Sequence, residues 1–335
     1  MNPVKIGNIK IDNPICLAPM AGFSALPFRV ICGEMGAAYC PTELVSARSI
    51  RFNGLGRNSR YSKIDPAREK IPVIQLFGSE PEDFSAAVSK LLADPRYQGL
   101  KILDINMGCP VPKVIKTGSG SALMTDPVRA SAIVAATVKA LEQAGADIPV
   151  TCKTRTGYDD RDKSGPDFAR ALAEAGASMI CIHGRTRPQM YAGYADYDAI
   201  ARMTEAVKPC NIPVFANGDV KDGKSALKAL ERTGADGLMV GRAARGNPWV
   251  FRKITDELEG REFKEPSDLE KRQMLLRELI ERREENADCE EGAVVREFRS
   301  VMPFYIKGEE GAAALKRALC NASSIDEVKE ILELD

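Results

Sequence analysis

The stretch PVTCKTRTGYDDRDKSGPDFARALAEAGASMICIHG, residues 149–184, sets the pattern for the whole fold. It opens with a largely apolar run (Pro149–Arg155), continues with a helical pattern (Asp167–Ala175), and closes with a second apolar run (Ser178–Gly184). Both runs are continuous rather than alternating, which is typical of parallel strands covered by helices on both faces. Gly176 follows the helical pattern, where a left-handed C-cap is needed. The stretch therefore predicts a β-α-β unit.

The same alternation recurs along the chain. The predicted strands are Ile15–Met20, Ala38–Val45, Pro72–Gly78, Ile102–Met107, Pro149–Arg155, Ser178–Gly184, Pro213–Gly218 and Gly237–Gly241. The predicted helices between them are Leu26–Met35, Pro81–Ala93, Asp126–Ala144, Asp167–Ala175, Asp198–Val207 and Gly223–Thr233. Eight such strands predict an α/β fold, a (β/α)8 TIM barrel. An open doubly wound sheet is the alternative, but no G-x-G-x-x-G motif follows the first strand.

Two further segments complete the predicted architecture. Val4–Ile11 alternates around a Gly-Asn turn, and we expect a hairpin that plugs the bottom of the barrel. After Arg242 the charge density rises and strand signals vanish, and amphipathic helices are predicted at about 269–286, 291–305, 310–321 and 325–333. We therefore expect a TIM-barrel domain at residues 1–250 and a C-terminal all-helical domain at residues 251–335.

Composition narrows the classes of function. The 335 residues carry 47 basic and 47 acidic side chains, and zero net charge argues against a protein that coats nucleic acid. The balance is uneven, because residues 250–335 carry a net charge of −7 and the remainder +7. Nine cysteines without a C-x-x-C pair argue against a disulfide framework and a zinc site. With no signal peptide and no apolar run of membrane-spanning length, we expect a cytoplasmic protein without membrane or metal partners.

Polar or glycine-rich groups stand at the end of almost every predicted strand, where barrels of this kind carry their function. They are Pro19-Met20, Glu43, Gln75, Asn106 and Cys109, Lys153 and Arg155, His183 and Arg185, Asn217-Gly218-Asp219, and Gly241-Arg242. The last two groups follow strands seven and eight, where many barrels bind a phosphate through backbone N–H groups. Lys153 lies in a buried strand and needs a partner or an anionic ligand. His183 is the only histidine, which excludes a metal site built from two histidines.

Cys109 differs from the other eight cysteines. It lies in the loop Asn106-Met107-Gly108-Cys109-Pro110 directly after a strand, whereas the others fall in helical or strand runs as small buried hydrophobes. A thiol with a pKa near 8.5 suits either a nucleophile or a proton donor at neutral pH. The residues alone leave both roles open.

A set of motifs carries a resemblance to a known family. In chain order they are Ala18-Pro19-Met20-Ala21-Gly22, Gln75-Leu76-Phe77-Gly78, Asp104-Ile105-Asn106-Met107-Gly108-Cys109-Pro110, Lys153-Thr154-Arg155, His183-Gly184-Arg185-Thr186, Ala216-Asn217-Gly218-Asp219 and Gly241-Arg242-Ala243. The sequence resembles the bacterial tRNA-dihydrouridine synthases, most closely their B-type branch. The resemblance implies an FMN enzyme that reduces uridine in tRNA to 5,6-dihydrouridine, with NADPH or NADH as reductant.

The resemblance also implies roles for individual residues. The cofactor-binding residues would be Pro19, Met20, Ala21, Gln75, Lys153, His183, Asn217, Gly218, Asp219, Gly241 and Arg242. Asn106, Arg155 and Tyr191 would hold the target uridine, which must leave the tRNA stack. Hydride from flavin N5 would reach uracil C6, and Cys109 would be the general acid that protonates C5.

The helical tail matches the family less closely. Arg296-Glu297-Phe298-Arg299 fits the family's Arg-x-x-Arg pattern, and Arg296, Arg299 and Lys307 are the candidate RNA contacts. Ser300-Val301 and Phe304 stand where the family commonly has a basic-His pair and a Trp. The sequence indicates no obligate protein partner, and it does not specify which tRNA positions are modified.

Two other functions are compatible with parts of this sequence. An FMN barrel reductase or dehydrogenase acting on a free small molecule, like dihydroorotate or ene reductases, would share the phosphate site and Lys153. It would not need the helical tail. An RNA-binding module without catalysis is the second, and the intact Cys109, Lys153 and His183 argue against it.

Overall fold

The computed structural model describes residues 1–56 and 59–334, and within them eight parallel strands form one sheet. The strands in chain order are β1 (Val4–Ile6), β2 (Ile9–Ile11), β3 (Ile15–Leu17), β4 (Cys40–Ser46), β5 (Pro72–Phe77), β6 (Ile102–Asn106), β7 (Val150–Arg155), β8 (Met179–His183), β9 (Val214–Asn217) and β10 (Gly237–Val240). Strands β3 to β10 pair in the order β3-β10-β9-β8-β7-β6-β5-β4. Ala38 N–H donates to Ile15 O (2.8 Å) and Leu17 N–H to Tyr39 O (3.1 Å), which closes the barrel. The predicted fold class is confirmed.

Helices cover the outside of the barrel. They are α1 (Leu26–Glu34), α2 (Ala47–Asn53), α3 (Ser59–Ser62), α4 (Pro81–Ala93), α5 (Pro112–Ile115), α6 (Pro127–Gln143), α7 (Gly165–Glu174), α8 (Tyr197–Val207), α9 (Gly223–Thr233) and α10 (Val250–Leu258). Helix α2 was not predicted, because its buried residues Ala47 and Ile50 are too few to make a visible apolar stripe. Helix α10 packs its buried Phe251 and Ile254 into the barrel core and lies against α9.

A short hairpin closes the amino-terminal end of the barrel. Strands β1 and β2 pair antiparallel, and Ile6 and Ile11 are buried in a cluster with inward-facing residues of the barrel strands. That cluster includes Cys16, Tyr39, Val73, Ile102, Met179, Cys181, Phe215 and Met239. The predicted plug is confirmed, and the opposite end of the barrel is left for polar side chains.

The tail is a helical unit with its own core. It contains α11 (Asp268–Glu285), α12 (Glu291–Phe298), α13 (Met302–Tyr305), α14 (Ala312–Leu319) and α15 (Ile325–Leu332). The prediction of one helix over 291–305 is wrong, because the helix is interrupted between α12 and α13. Pro303 lies in the first turn of α13, where its missing N–H is tolerated but a continuous helix is not. None of the described helices is both long and apolar enough to span a membrane.

A buried polar network joins the tail to the barrel. Glu278 of α11 is fully buried and accepts hydrogen bonds from Tyr305 Oη (2.5 Å) and Arg282 Nε (2.8 Å). Arg282 Nη2 also lies 3.4 Å from Gly22 O and 3.3 Å from Phe23 O, in the loop after β3. A buried ion pair is tolerated when its remaining donors find partners, as these do. The tail therefore grips the loop that follows the first barrel strand.

Gly246 brings the two units into direct backbone contact. Its φ is +59°, and a Cβ placed there would lie 2.5 Å from both the carbonyl carbon of Phe304 and the amide nitrogen of Tyr305. No other residue type fits such an approach without moving the tail.

We predict that Gly246→Ala loosens this junction. Gly260→Ala is the matched control, because Gly260 has a φ of +73° and open space around its Cα. The control should lose about 1–2 kcal/mol from left-handed strain, and Gly246→Ala a further ~1–3 kcal/mol from overpacking. Urea unfolding of the two variants measures the difference, and equal losses would contradict the proposed close contact.

Candidate active site

The carboxyl ends of the strands place the polar residues in one ring at the barrel mouth. Side chains two positions apart share a face of a strand, so Lys153 and Arg155 both face the interior. In the register of the sheet, Lys153 lies opposite Asn106, Arg155 opposite His183, and His183 opposite Asn217. Residues predicted from four separate strands are therefore neighbours.

The loop that carries Cys109 is held by the strand before it. Asn106 Oδ1 accepts from the N–H groups of Cys109 (3.0 Å) and Gly108 (3.3 Å), and its Nδ2 donates to Gln75 Oε1 (3.0 Å). Cys109 is half-buried, and burial raises the pKa of its thiol, outweighing the opposing charge of Arg155. The thiol therefore keeps its proton at neutral pH.

A buried carboxylate supports this arrangement from below. Asp104 accepts from Gln75 Nε2 (2.6 Å) and Thr151 Oγ1 (2.5 Å), and burial raises the pKa of Asp104 to about 6. It fixes the Gln75 amide, which in turn binds Asn106. Asp104 was not among the predicted site residues, although an acidic residue within the apolar run Ile102–Asn106 is a usable signal.

Lys153 carries a positive charge that no carboxylate in the described chain contacts. Its Nζ donates to Asn217 Oδ1 (2.9 Å), and Asn217 Nδ2 donates to Met239 O (2.7 Å). Burial lowers the pKa of Lys153, and the nearby Arg155 lowers it further. Asn217 therefore aims the ammonium group into the mouth without neutralising it.

Arg155 is almost fully buried and binds backbone carbonyls only. Nε donates to Gly108 O (2.6 Å), and Nη1 to Thr186 O (3.0 Å) and Met190 O (3.2 Å). Burial lowers the pKa of Arg155 to about 10. It ties the Cys109 loop to the loop after β8, and its Nη2 donates no hydrogen bond to any described residue.

His183 reports the electrostatic potential of the mouth. It is 8% exposed, and Arg185 Nη1 lies 3.5 Å from its Nε2. Burial and the positive charges of Lys153 and Arg155 lower the pKa of His183 far below its usual value. The imidazole is therefore neutral, in surroundings that favour an anion.

One carboxylate organises the loops after β8, β9 and β10. Asp219 accepts from Arg185 Nη2 (2.8 and 2.9 Å) and from Arg242 Nη2 (2.8 Å). The Arg242 guanidinium lies 5.2 Å from the centre of the Tyr191 ring, which is 55% exposed. The side chain of Asp219 thus holds two arginines, a role that the sequence did not suggest.

Backbone donors beside these arginines are unpaired. The N–H groups of Gly218, Asp219, Arg242 and Ala243 donate no hydrogen bond to any residue of the described chain. Gly218 has a φ of +126°, and a Cβ there would lie 2.8 Å from the Cβ of Ala195, so the turn requires glycine. Free donors next to Arg242 suit a phosphate dianion.

An apolar surface adjoins the unpaired N–H groups of Arg242 and Ala243. Pro19, Met20 and Ala21 follow β3, and β3 pairs with β10. A Cβ at Gly241 would lie 3.5 Å from the Cβ of Ala18 and 3.9 Å from Sδ of Met20, so Gly241 adjoins this apolar surface. All the predicted cofactor and substrate residues thus lie at this end of the barrel.

The tail candidates divide. Arg299 donates to Ala322 O (2.8 and 2.5 Å) and Asn321 O (2.9 Å), so its guanidinium is engaged within the tail. Arg296 and Lys307 are exposed. Arg245 was not among the predicted residues, and its guanidinium lies over the Phe304 ring at the barrel–tail junction.

Comparison with known proteins shows which family the chain resembles. A family model described as dihydrouridine synthase matches residues 16–335. The chain is 38% identical to tRNA-dihydrouridine synthase B of Pseudomonas putida over 280 residues, covering 84% of this chain and 79% of that protein. It is 34% identical to tRNA-dihydrouridine synthase B of Proteus vulgaris over 330 residues, covering 98% and 96%.

A solved structure shares the fold alone. A 2-naphthoyl-CoA reductase in complex with 2-naphthoyl-CoA superposes with a TM-score of 0.55 at 12% identity. The match covers 78% of this chain and 52% of that one.

We predict that His183 stays neutral in the folded protein. Since it is the only histidine, one set of imidazole NMR signals reports it. In protein dialysed free of bound anions these signals should not shift between pH 8 and about 5.5, whereas in urea they should titrate near ~6.5. Because only the unfolded state takes up this proton, the His183 contribution should reduce stability as the pH falls through about 6.5. If the imidazole of His183 titrates with a midpoint near ~6.5 in the folded protein, the positive potential inferred for the barrel mouth is refuted.

Proposed function

The chain belongs to the dihydrouridine synthase family, whose members form dihydrouridine in tRNA, and we propose that the barrel mouth is the site where it does so. The observation that carries the proposal is the Cys109 thiol, held protonated at the rim of a mouth lined with uncompensated positive charge. An oxidoreductase that adds a hydride and a proton across a double bond needs such an acid beside such a cation.

The family generally depends on FMN, and the residues of the mouth fit that group. The free N–H groups of Gly218, Asp219, Arg242 and Ala243 suit its phosphate. The surface of Pro19–Ala21 beside Gly241 suits its planar ring, and His183 offers a polar contact at the edge. Gln75 is fully buried and supports that edge through its hydrogen bond with Asn106. When bound there, FMN would supply the hydride-transfer chemistry, with NADPH or NADH as the reductant and uracil C6 as the acceptor.

Lys153 balances negative charge on the cofactor. It has no carboxylate partner in the described chain, and Asn217 holds its ammonium group in place. Burial lowers the pKa of Lys153, and an anionic ligand beside it would raise that pKa and stabilise the charged form.

Cys109 supplies the proton that completes the reduction. Hydride at C6 leaves negative charge on C5 and the C4 carbonyl oxygen, and proton transfer from Sγ to C5 neutralises it. Arg155 Nη2 and the second N–H of Asn106 Nδ2 are free to donate to a uracil carbonyl oxygen. Hydrogen bonds from a buried, fixed guanidinium would stabilise the developing enolate.

The target uridine must leave the tRNA stack to reach Cys109. Tyr191, at the rim beside Arg242, presents a half-exposed ring on which nucleotides can stack. We assign tRNA binding to the helical tail together with the rim, and cofactor and catalysis to the barrel.

Cys109→Ala should retain bound flavin and NADPH oxidation but lose about 10²- to 10⁴-fold of the tRNA reduction rate, because only the proton donor is removed. Cys320→Ala, at an exposed cysteine, is the control. Counting dihydrouridine in unmodified tRNA measures the rate. In the wild type this rate should stay level through neutral pH and decline only at alkaline pH, since the raised pKa keeps the thiol protonated. A normal dihydrouridine yield from the alanine variant would exclude Cys109 as the acid.

Lys153→Met should weaken FMN binding by about 1.5–3 kcal/mol, the value of a charge-assisted contact. Lys139→Met, at an exposed lysine on the outer helix α6, is the matched control. The fluorescence of FMN released on dilution measures the affinity. If both variants hold FMN equally well, Lys153 does not balance the cofactor's charge.

A further inference from the structure

Arg245 lies where the barrel mouth meets the tail. It follows the short turn Arg242–Ala244, and its guanidinium stands 4.6 Å from the ring centre of Phe304 in α13 and 5.4 Å from that of Phe23 after β3. The two rings pack edge to face, with centres 5.3 Å apart. One aromatic ring from the barrel and one from the tail therefore hold the same cation.

This guanidinium has no polar partner within residues 1–56 and 59–334. Its Nε is buried without a hydrogen bond, and no carboxylate lies within ion-pair distance of it. The other arginines of the mouth each have polar partners within the described chain: Arg155 binds carbonyls, and Arg185 and Arg242 bind Asp219. A desolvated donor left unpaired is unfavourable, so Arg245 is suited to a group that arrives from outside the chain.

The position of Arg245 is fixed before any ligand arrives. The next residue, Gly246, packs its backbone against Phe304 and Tyr305 with no space for a side chain. The guanidinium lies over two rings that stand at 80° to each other, and the broad, delocalised cation of arginine suits such a site better than the compact ammonium of lysine. Such a rigid cation loses little freedom on binding an anion.

We propose that Arg245 binds a backbone phosphate of the tRNA beside the nucleotide that enters the mouth. This rests on the proposed function in tRNA. A guanidinium fork matches the oxygens of a phosphate. The cofactor is the other source of phosphate here, but four free N–H groups and Arg242 already face it from the barrel side. Arg245 instead depends on a ring of the tail, which favours a ligand that spans barrel and tail.

The test compares Arg245→Gln and Arg245→Met, two neutral variants that keep the aliphatic stem against the rings. Arg202→Gln is the control, because Arg202 is exposed on the outer helix α8 and has no ion pair in the described chain. Fluorescence anisotropy with an unmodified tRNA transcript is measured across a KCl series. Losing one phosphate contact should reduce the slope of log K against log salt by about 0.7–0.9 and weaken binding near 0.1 M salt by about 5- to 8-fold. Arg202→Gln should leave both unchanged.

Three readouts separate the outcomes. Flavin absorbance and NADPH oxidation of the Arg245 variants should match the wild type, and thermal unfolding should confirm that at least one of them is folded. A salt slope equal to that of the wild type overturns the assignment. A loss of bound flavin without a change in the salt slope also overturns the assignment, because it would show that Arg245 binds the cofactor and not the tRNA. Failure of the proposed function itself shows separately, as a wild type that binds tRNA with the full slope yet forms no dihydrouridine.

Discussion

Positive charge that the protein does not neutralise is the constraint around which the barrel mouth is built. Lys153, Arg155, Arg185 and Arg242 converge there, and Asp219 is the one described carboxylate bonded to any of them. Two effects on the titratable groups of the site follow. His183 is held neutral, and the thiol of Cys109 keeps its proton although nearby cations lower its pKa. Backbone N–H groups at the mouth also stay unpaired. Such a mouth is complete only with an anionic ligand in place.

The sequence predicted what local pattern encodes. Apolar runs located the barrel strands, and the polar residues at the ends of those runs marked the mouth of the barrel. The loop around Cys109 was predictable because Gly108 and Pro110 flank it directly after a strand, and Asn106, which holds that loop in the structure, is itself only three residues away. Interactions between distant segments were not predictable. Asp219 bonds an arginine 34 residues away, and Arg245 stacks on a ring 59 residues away, so both depend on how separate elements pack. The short helix α2 and the break before α13 escaped because each depends on a few residues only.

The opposed net charges of barrel and tail have a structural explanation. Acidic residues of the tail, Glu281, Glu285 and Glu297, form ion pairs with Arg68, Lys63 and Arg60 of the barrel. In one further pair the tail supplies the base: Arg277 donates two hydrogen bonds to the carboxylate of Glu34 in the barrel (2.6 and 2.7 Å). Part of the tail's negative excess is therefore used in docking. A tail with negative net charge is consistent with RNA binding, because the cations that face the junction, such as Arg245, come from the barrel.

The grip of Arg282 on the carbonyls of Gly22 and Phe23 has a consequence for the evolution and redesign of such enzymes. That loop begins at Met20, so the tail helix α11 also shapes the floor of the barrel mouth. A tail taken from a relative could therefore not be exchanged independently of the barrel. It would have to arrive with a matching loop after β3 and a matching partner for Gly246, or the graft would disturb chemistry and recognition together.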